Sequence, residues 1–285
     1  MKTKLLILAL ALMASSPVAQ AQTYVDNQVP PQGDTVKVHA DKMNRDIATV
    51  VIVPEQYFDP DLQDEQFPVI YLLHGAYGNY SNWPEKADLD DMASDYGVII
   101  VCPDGQDSWY FDSPIDPSFQ FETFISKELV DYVDHHYRTI ANRAMRAITG
   151  LSMGGHGALW CAWRHPDVFG SCGSMSGGVD ISKFPGKWSI GDRLGVFEEN
   201  EDVWVSHSVI SLVPTLKKGR QNIIIDDGAQ DFFYQVNLEL HEALLKQGIG
   251  HDFTIRPGSH TWDYWLNAID YHFLFFSKAF AAAGE

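Results

Sequence analysis

Gly150-Leu151-Ser152-Met153-Gly154 decides how the rest of the chain is read. It follows the apolar run Met145 to Thr149 and leads into Gly155-His156-Gly157-Ala158-Leu159-Trp160. A G-x-S-x-G between a strand and a helix is a nucleophile elbow. The turn is so tight that its flanking positions have no room for a β-carbon, and it holds the serine Oγ clear of the sheet edge. Ser152 is therefore the candidate nucleophile, and the small residues after it let the following helix lie close to the sheet.

Working outward, the other segments fit a sheet of mostly parallel strands. Thr35 to His39 and Ile47 to Val53 read as strands. Phe67 to Leu73 is a near-continuous apolar run, as expected of a strand buried on both faces. It ends in His74-Gly75-Ala76-Tyr77-Gly78, and the loop after the third strand of this architecture supplies one N–H of the oxyanion hole. Ala76 is the candidate donor. Its partner is Met153, at the helix start, where the dipole also favours negative charge. His74, before a glycine at a strand end, reads as a loop-ordering residue.

Leu89 to Tyr96 reads as a helix and Val98 to Cys102 as a strand. The loop after it, Gln106 to Gln120, carries Trp109, Tyr110, Phe111 and Phe119. Open α/β sheets bind ligands at the carboxyl ends of their strands, so Trp109, Tyr110 and Phe111 are candidates to line a cleft; the alternative is that they pack beneath the loop. Glu122 to Tyr137 is an amphipathic helix, in which Glu122 reads as a first-turn carboxylate favoured by the dipole.

After the strand Phe169 to Ser176, residues 179–221 break the strand-helix rhythm. This insertion, with an acidic stretch Glu198 to Asp202 and an expected helix at Val209 to Lys217, stands where a cap over the site is usual, which makes Trp188 a candidate substrate contact. Asn222 to Asp226, the helix Phe232 to Gln247, the strand His251 to Arg256 and the helix Thr261 to Phe280 complete the pattern. Aromatics recur along that last helix at core spacing. Its Trp262, two residues after a histidine, is also a candidate substrate contact.

Serine needs a base to take its proton, and the base needs a buried carboxylate to hold its tautomer. The chain order in this fold is serine, acid, histidine. Among the eleven histidines, His260 lies just past the last strand in Pro257-Gly258-Ser259-His260-Thr261-Trp262. His241 falls within a helix and His251 opens a strand. For the acid, Asp226-Asp227-Gly228-Ala229-Gln230-Asp231 offers three carboxylates. Asp231, past the glycine turn, can face the histidine; Asp226 and Asp227 suit turn capping, with Asp227 the main competitor.

The chain has 285 residues and a net charge of −18, a field that repels nucleic acid and anionic membranes. Lys2, Lys4, the apolar stretch Leu5 to Met13 and Ala19-Gln20-Ala21 read as an export signal over 1–21, leaving one domain over 22–285. Its apolar run is too short to span a bilayer, so no stable membrane insertion is expected. Cys102, Cys161 and Cys172 are an odd set among apolar neighbours, expected as buried free thiols without metal-ligand spacing. The chemistry calls for no cofactor and no metal, and the sequence specifies no oligomeric state.

These residues together resemble the α/β-hydrolase esterases that include esterase D (S-formylglutathione hydrolase), bacterial feruloyl esterases and the mycobacterial antigen 85 mycolyltransferases. The resemblance runs from about Ile47 onward. It rests on Leu72-Leu73-His74-Gly75 with Trp83, Ser108-Trp109-Tyr110, Tyr137-Arg138-Thr139, the elbow through Ala158, Gly228-x-x-Asp231 and Gly258-Ser259-His260-x-Trp262. It implies Ser152, Asp231 and His260 as a triad, Ala76 and Met153 as oxyanion donors, and a small-molecule or glycan ester as substrate. Residues 179–221 match no substrate-defining pattern. Hydrolysis of feruloyl, acetyl or similar esters is the expected reaction. Acyl transfer to a sugar hydroxyl and a silent glycan-binding protein are the alternatives.

Overall fold

A computed structural model describes residues 33–284, so the expected export signal lies outside the described residues. Eight strands form one sheet: β1 (Asp34–Ala40), β2 (Arg45–Ile52), β3 (Val69–Leu73), β4 (Ile99–Pro103), β5 (Arg146–Gly150), β6 (Ser171–Met175), β7 (Asn222–Gly228) and β8 (Asp252–Arg256). Their spatial order is β1-β2-β4-β3-β5-β6-β7-β8. β2 pairs antiparallel with both β1 and β4, and every pairing from β4 to β8 is parallel. This is the α/β-hydrolase fold expected from the strand and helix pattern.

The apolar runs are continuous because both faces of the sheet are covered. In β3, Val69, Tyr71 and Leu73 enter one core, and Ile70 and Leu72 enter the other, following the two-residue period of a strand. Helices α1 (Asn82–Lys86), α2 (Leu89–Tyr96) and, at the end of the chain, α9 (Trp262–Gly284) cover the second face. The first face is covered by α3 (Phe121–Thr123), α4 (Leu129–His136), α5 (Met153–Arg164), α6 (Ile190–Leu194), α7 (Phe197–Ser206) and α8 (Tyr234–Gln247). The ends of α2 are local chemistry. The Asp88 side chain accepts from the Asp91 N–H, and Gly97 takes the left-handed φ of 59° that stops the helix.

Two segments differ from their expected form. The helix expected over Glu122 to Tyr137 is interrupted by a π-helical turn at Phe124–Glu128, where the Ser126 hydroxyl donates to the Glu122 carbonyl. The helix expected at Val209 to Lys217 is a 3-10 turn over Val209–Thr215, because Pro214 supplies no N–H for an α-helical bond. The acidic stretch Glu198 to Asp202 lies in α7, which is kinked at Asn200. All three cysteines are buried and free. No helix of the described residues is long and apolar enough to cross a membrane.

Candidate active site

Ser152 sits between β5 and α5 with φ 56° and ψ −117°, a conformation that costs a non-glycine residue of order 1–3 kcal/mol and is held by its surroundings. A β-carbon on Gly150 would fall 2.6 Å from the Leu73 carbonyl oxygen, and one on Gly154 2.5 Å from the same atom. The Ser152 backbone is tied on both sides: its N–H donates to Met175 O at 2.9 Å, and its carbonyl accepts from Gly178 N–H at 3.3 Å. The glycines, the strand and the serine of the motif thus act together to present Oγ above the sheet.

His260 arrives on the loop between β8 and α9, and Asp231 on the loop after β7. His260 Nε2 lies 2.9 Å from Ser152 Oγ, and Nδ1 lies 2.8 Å from Asp231 Oδ2 and 3.1 Å from Oδ1. An ionised carboxylate only accepts, so Nδ1 carries the proton and the Nε2 lone pair faces the serine hydroxyl. Asp231 is itself held, since Oδ1 accepts the Phe233 N–H at 2.8 Å. The structure therefore brings together the serine, acid and histidine expected from the sequence.

Ala76 and Met153 also converge on this point. Ala76 lines the cleft beside Ser152, and Met153 opens α5. Neither N–H donates to an acceptor among the described residues. An amide in the cleft wall and one directly after the nucleophile at a helix N-terminus are suited to a developing oxyanion.

The neighbouring carboxylates divide differently from their expected capping roles. Asp226 is fully buried and bonds to Arg256 of β8 and the Tyr264 hydroxyl of α9. It is thus the buried half of an ion pair whose Arg256 side chain is partly exposed, and not a turn cap. Asp227 does accept its own turn's Gly228 N–H at 2.8 Å, but its second oxygen accepts from Asn237 Nδ2 at 2.8 Å. Burial, reinforced by the charge of Asp231, pushes the Asp227 carboxyl up to about 8.

The cleft over Ser152 has a volume of about 550 Å³. Trp188 and Trp262 line it, as expected, together with Tyr77, Phe232 and Trp265. Trp109 and Tyr110 do not: both are fully buried, as is Phe111. Trp109 donates its indole N–H to the Trp188 carbonyl at 3.2 Å, and Tyr110 donates its hydroxyl to the His74 carbonyl at 3.1 Å. Residues of the insertion pack on Trp109 and Phe111, while Tyr110 lies against Gly157 of α5 and His74, so the three form a layer that supports Trp188 and the loop after β3. That is the correction to their expected place. A second cavity, about 220 Å³ beside Trp163, Leu216 and Ile249, lies at the opposite end of the sheet and holds none of these groups.

Tyr77, Trp265 and above all Phe232 are cleft residues that sequence reasoning missed. The Phe232 ring is half-exposed, stacks on Trp188 at 5.6 Å and covers the His260 imidazole at 4.2 Å. Phe232's position directly after Asp231 was the available signal, hidden because it reads as the first residue of the helix expected over Phe232 to Gln247. Glu122 also departs from expectation. It lies buried beneath α5 and accepts from Trp160 Nε1, Arg164 Nε and His165 Nε2, each at 2.8 Å. Burial alone would raise its pKa, but the bonds from His165, Arg164 and Trp160 outweigh it and bring the carboxyl down to about 2. His74 orders loops as expected: Nε2 accepts the Gly105 N–H at 2.7 Å, so Nδ1 donates to Gly75 O at 2.7 Å.

A family model described as "Putative esterase" matches residues 40–276. An acetyl esterase of Caldicellulosiruptor saccharolyticus is 26% identical over 254 residues, 83% of this chain and 94% of the relative. A ferulic acid esterase structure superposes with a TM-score of 0.75 at 27% identity, covering 87% of this chain and 97% of its own. An S-formylglutathione hydrolase of Staphylococcus aureus gives 0.75 at 21% identity, with 86% and 98% covered, a likeness of fold alone.

Proposed function

Because the chain belongs to this esterase family, we propose that it is a serine carboxylic-ester hydrolase working through an acyl-enzyme on Ser152. The observation that carries this reading is the unbroken line Ser152–His260–Asp231, with contacts of 2.9 and 2.8 Å, opening into an aromatic cleft.

In this mechanism Ser152 Oγ attacks the ester carbonyl carbon while its proton passes to His260 Nε2. The Ala76 and Met153 N–H groups receive the oxyanion. As the tetrahedral intermediate collapses, the C–O bond to the alcohol breaks and His260 returns the proton to the leaving oxygen. Water then attacks the acyl-enzyme by the same route, its proton going to His260 and then to Ser152 Oγ, and the carboxylic acid leaves. Asp231 stays ionised throughout, holding the imidazole tautomer and stabilising the imidazolium.

The substrate in this reading is an acylated carbohydrate or small ester. Relatives named acetyl esterase and ferulic acid esterase support that range, and aromatic walls of Tyr77, Trp188, Phe232 and Trp262 suit flat acyl groups over acetyl. Export belongs to the same proposal and rests on Lys2, Lys4 and Ala19-Gln20-Ala21; Edman sequencing of secreted protein should begin at Gln22, and retention of Met1 would contradict it. The reaction itself is tested with Ser152→Ala and Asp231→Asn on acetyl and feruloyl esters. Both variants should fold and bind, with kcat reduced by about 10⁴ or more for the first and up to about 10⁴ for the second. Turnover within tenfold of wild type in Ser152→Ala would reject the reading.

A further inference from the structure

Behind the acid loop lies a polar cluster that the mechanism above does not use. Asn237 of α8 is fully buried. Its Nδ2 donates to three acceptors from three places: Asp227 Oδ2 at 2.8 Å, Gly177 O at 2.9 Å and Phe233 O at 3.0 Å. Asp227, also fully buried, accepts the Gly228 N–H at 2.8 Å with its other oxygen, and Gly228 O accepts the Asp231 N–H at 2.9 Å. On the far side, the Gly178 N–H, one residue past Gly177, donates to Ser152 O at 3.3 Å. Resting on the triad proposed above, we infer that Asp227 and Asn237 are a positioning pair that fixes the loop carrying Asp231 to the backbone behind Ser152, without touching substrate.

The arrangement accounts for features that simple turn capping leaves over. A cap needs one oxygen and a solvated position, whereas Asp227 uses both oxygens inside the protein. Asn237 turns its amide nitrogen to all three acceptors and leaves Oδ1 without a partner, an unfavourable arrangement that the reverse amide orientation would worsen. The groups facing Asp227 are Asp231 with His260 on the site side, Asp226 with Arg256 and Tyr264 on the sheet side, and the Ser176 hydroxyl after β6.

Asp227, raised to about 8 by burial and then by Asp231, keeps its proton at neutral pH. As pH rises through about 8, Asp227 ionises. The loop then carries two adjacent carboxylates, and their repulsion works against the geometry the pair maintains. The inference therefore specifies an alkaline fall in kcat that a neutral His260 base would not produce. The sign for stability agrees: a carboxyl raised in the folded state favours folding at acid pH, and this contribution is lost between the unfolded value of 3.8 and about 8.

The test measures kcat and KM against pH, and melting temperature against pH, for full-length wild type, Asp227→Asn and Asn237→Ala with a p-nitrophenyl ester. Asp227→Asn matches the protonated acid in charge and size but gives up one of the two accepted bonds, since an amide nitrogen cannot accept. It should lower kcat at pH 7 by no more than about tenfold and remove the alkaline fall, and its melting temperature should gain on wild type as pH rises from about 4 to 8. Asn237→Ala should lower kcat about tenfold or more with KM within about twofold, since it loosens geometry and not substrate contact. Three results would overturn the inference: an Asp227→Asn profile superimposable on wild type, a loss of about 100-fold or more at pH 7 with stability intact, or unchanged kcat in Asn237→Ala. If Asn237→Ala does not fold, the Asp227→Asn profile decides alone. Turnover surviving in Ser152→Ala would instead reject the underlying triad.

Discussion

Glu122 illustrates how a single side chain can stabilise the nucleophile's helix without entering the site. Its carboxylate gathers the Trp160, Arg164 and His165 donors of the last turn of α5 and the residue after it. With its pKa brought from 4.5 down to about 2, it contributes stability above the unfolded value, and that contribution is lost as pH falls through about 2. Glu122→Gln should therefore cost on the order of 3 kcal/mol near pH 7 and lower the melting temperature by roughly 5 to 10 °C. The deficit should shrink between about pH 4.5 and 2. Differential scanning calorimetry across that range checks it, and a deficit independent of pH would show that charge is not the cause. At this scale the triad was legible because its requirements are local: a glycine-flanked turn for Ser152, and fold order for Asp231 and His260. Glu122 was not, since a first-turn carboxylate looks the same whether it meets water or the end of a helix about forty residues away.

At the scale of elements, the insertion between β6 and β7 decides which aromatics meet substrate. It lays Trp188 over Trp109, so the loop after β4 is covered and Trp188 takes the cleft wall. The residue pattern alone left both places open for Trp109 and Tyr110, because aromatic density on a loop looks the same above and below a cap. The strands and the helices α2, α5 and α9 were legible for the opposite reason, each being fixed by its own local pattern: apolar periodicity, the Asp88 cap of α2 and the glycine-rich elbow before α5. Two substitutions separate the layers. Trp188→Ala should raise KM for bulky aromatic esters about tenfold and leave acetyl esters nearly unaffected, by removal of one wall contact. Trp109→Ala should cost about 3 to 5 kcal/mol of stability and weaken both substrates alike. Steady-state kinetics on the two esters with thermal melts would show it, and a selective effect from Trp109→Ala would return that ring to the cleft.

Across the whole molecule, the parallel sheet carries the carboxyl ends of β3, β5 and β7 to one edge, and each delivers one part of the site: Ala76, Ser152 and Asp231. The loop after β8 adds His260, and the second face, closed by α9, is core except where Trp262 and Trp265 reach the cleft. Distances between loops so far apart in sequence are not readable from a chain: the glycine turn favoured Asp231 over Asp227, and the structure places the Asp231 carboxylate 2.8 Å from His260 Nδ1. The central claim is that this edge activates Ser152 alone among the serines. Labelling the intact protein with a fluorophosphonate and mapping the modified peptide by mass spectrometry tests it directly. The account predicts a single adduct on Ser152, formed with loss of esterase activity and absent from Ser152→Ala. An adduct on any other residue, or labelling that persists in Ser152→Ala, would contradict it.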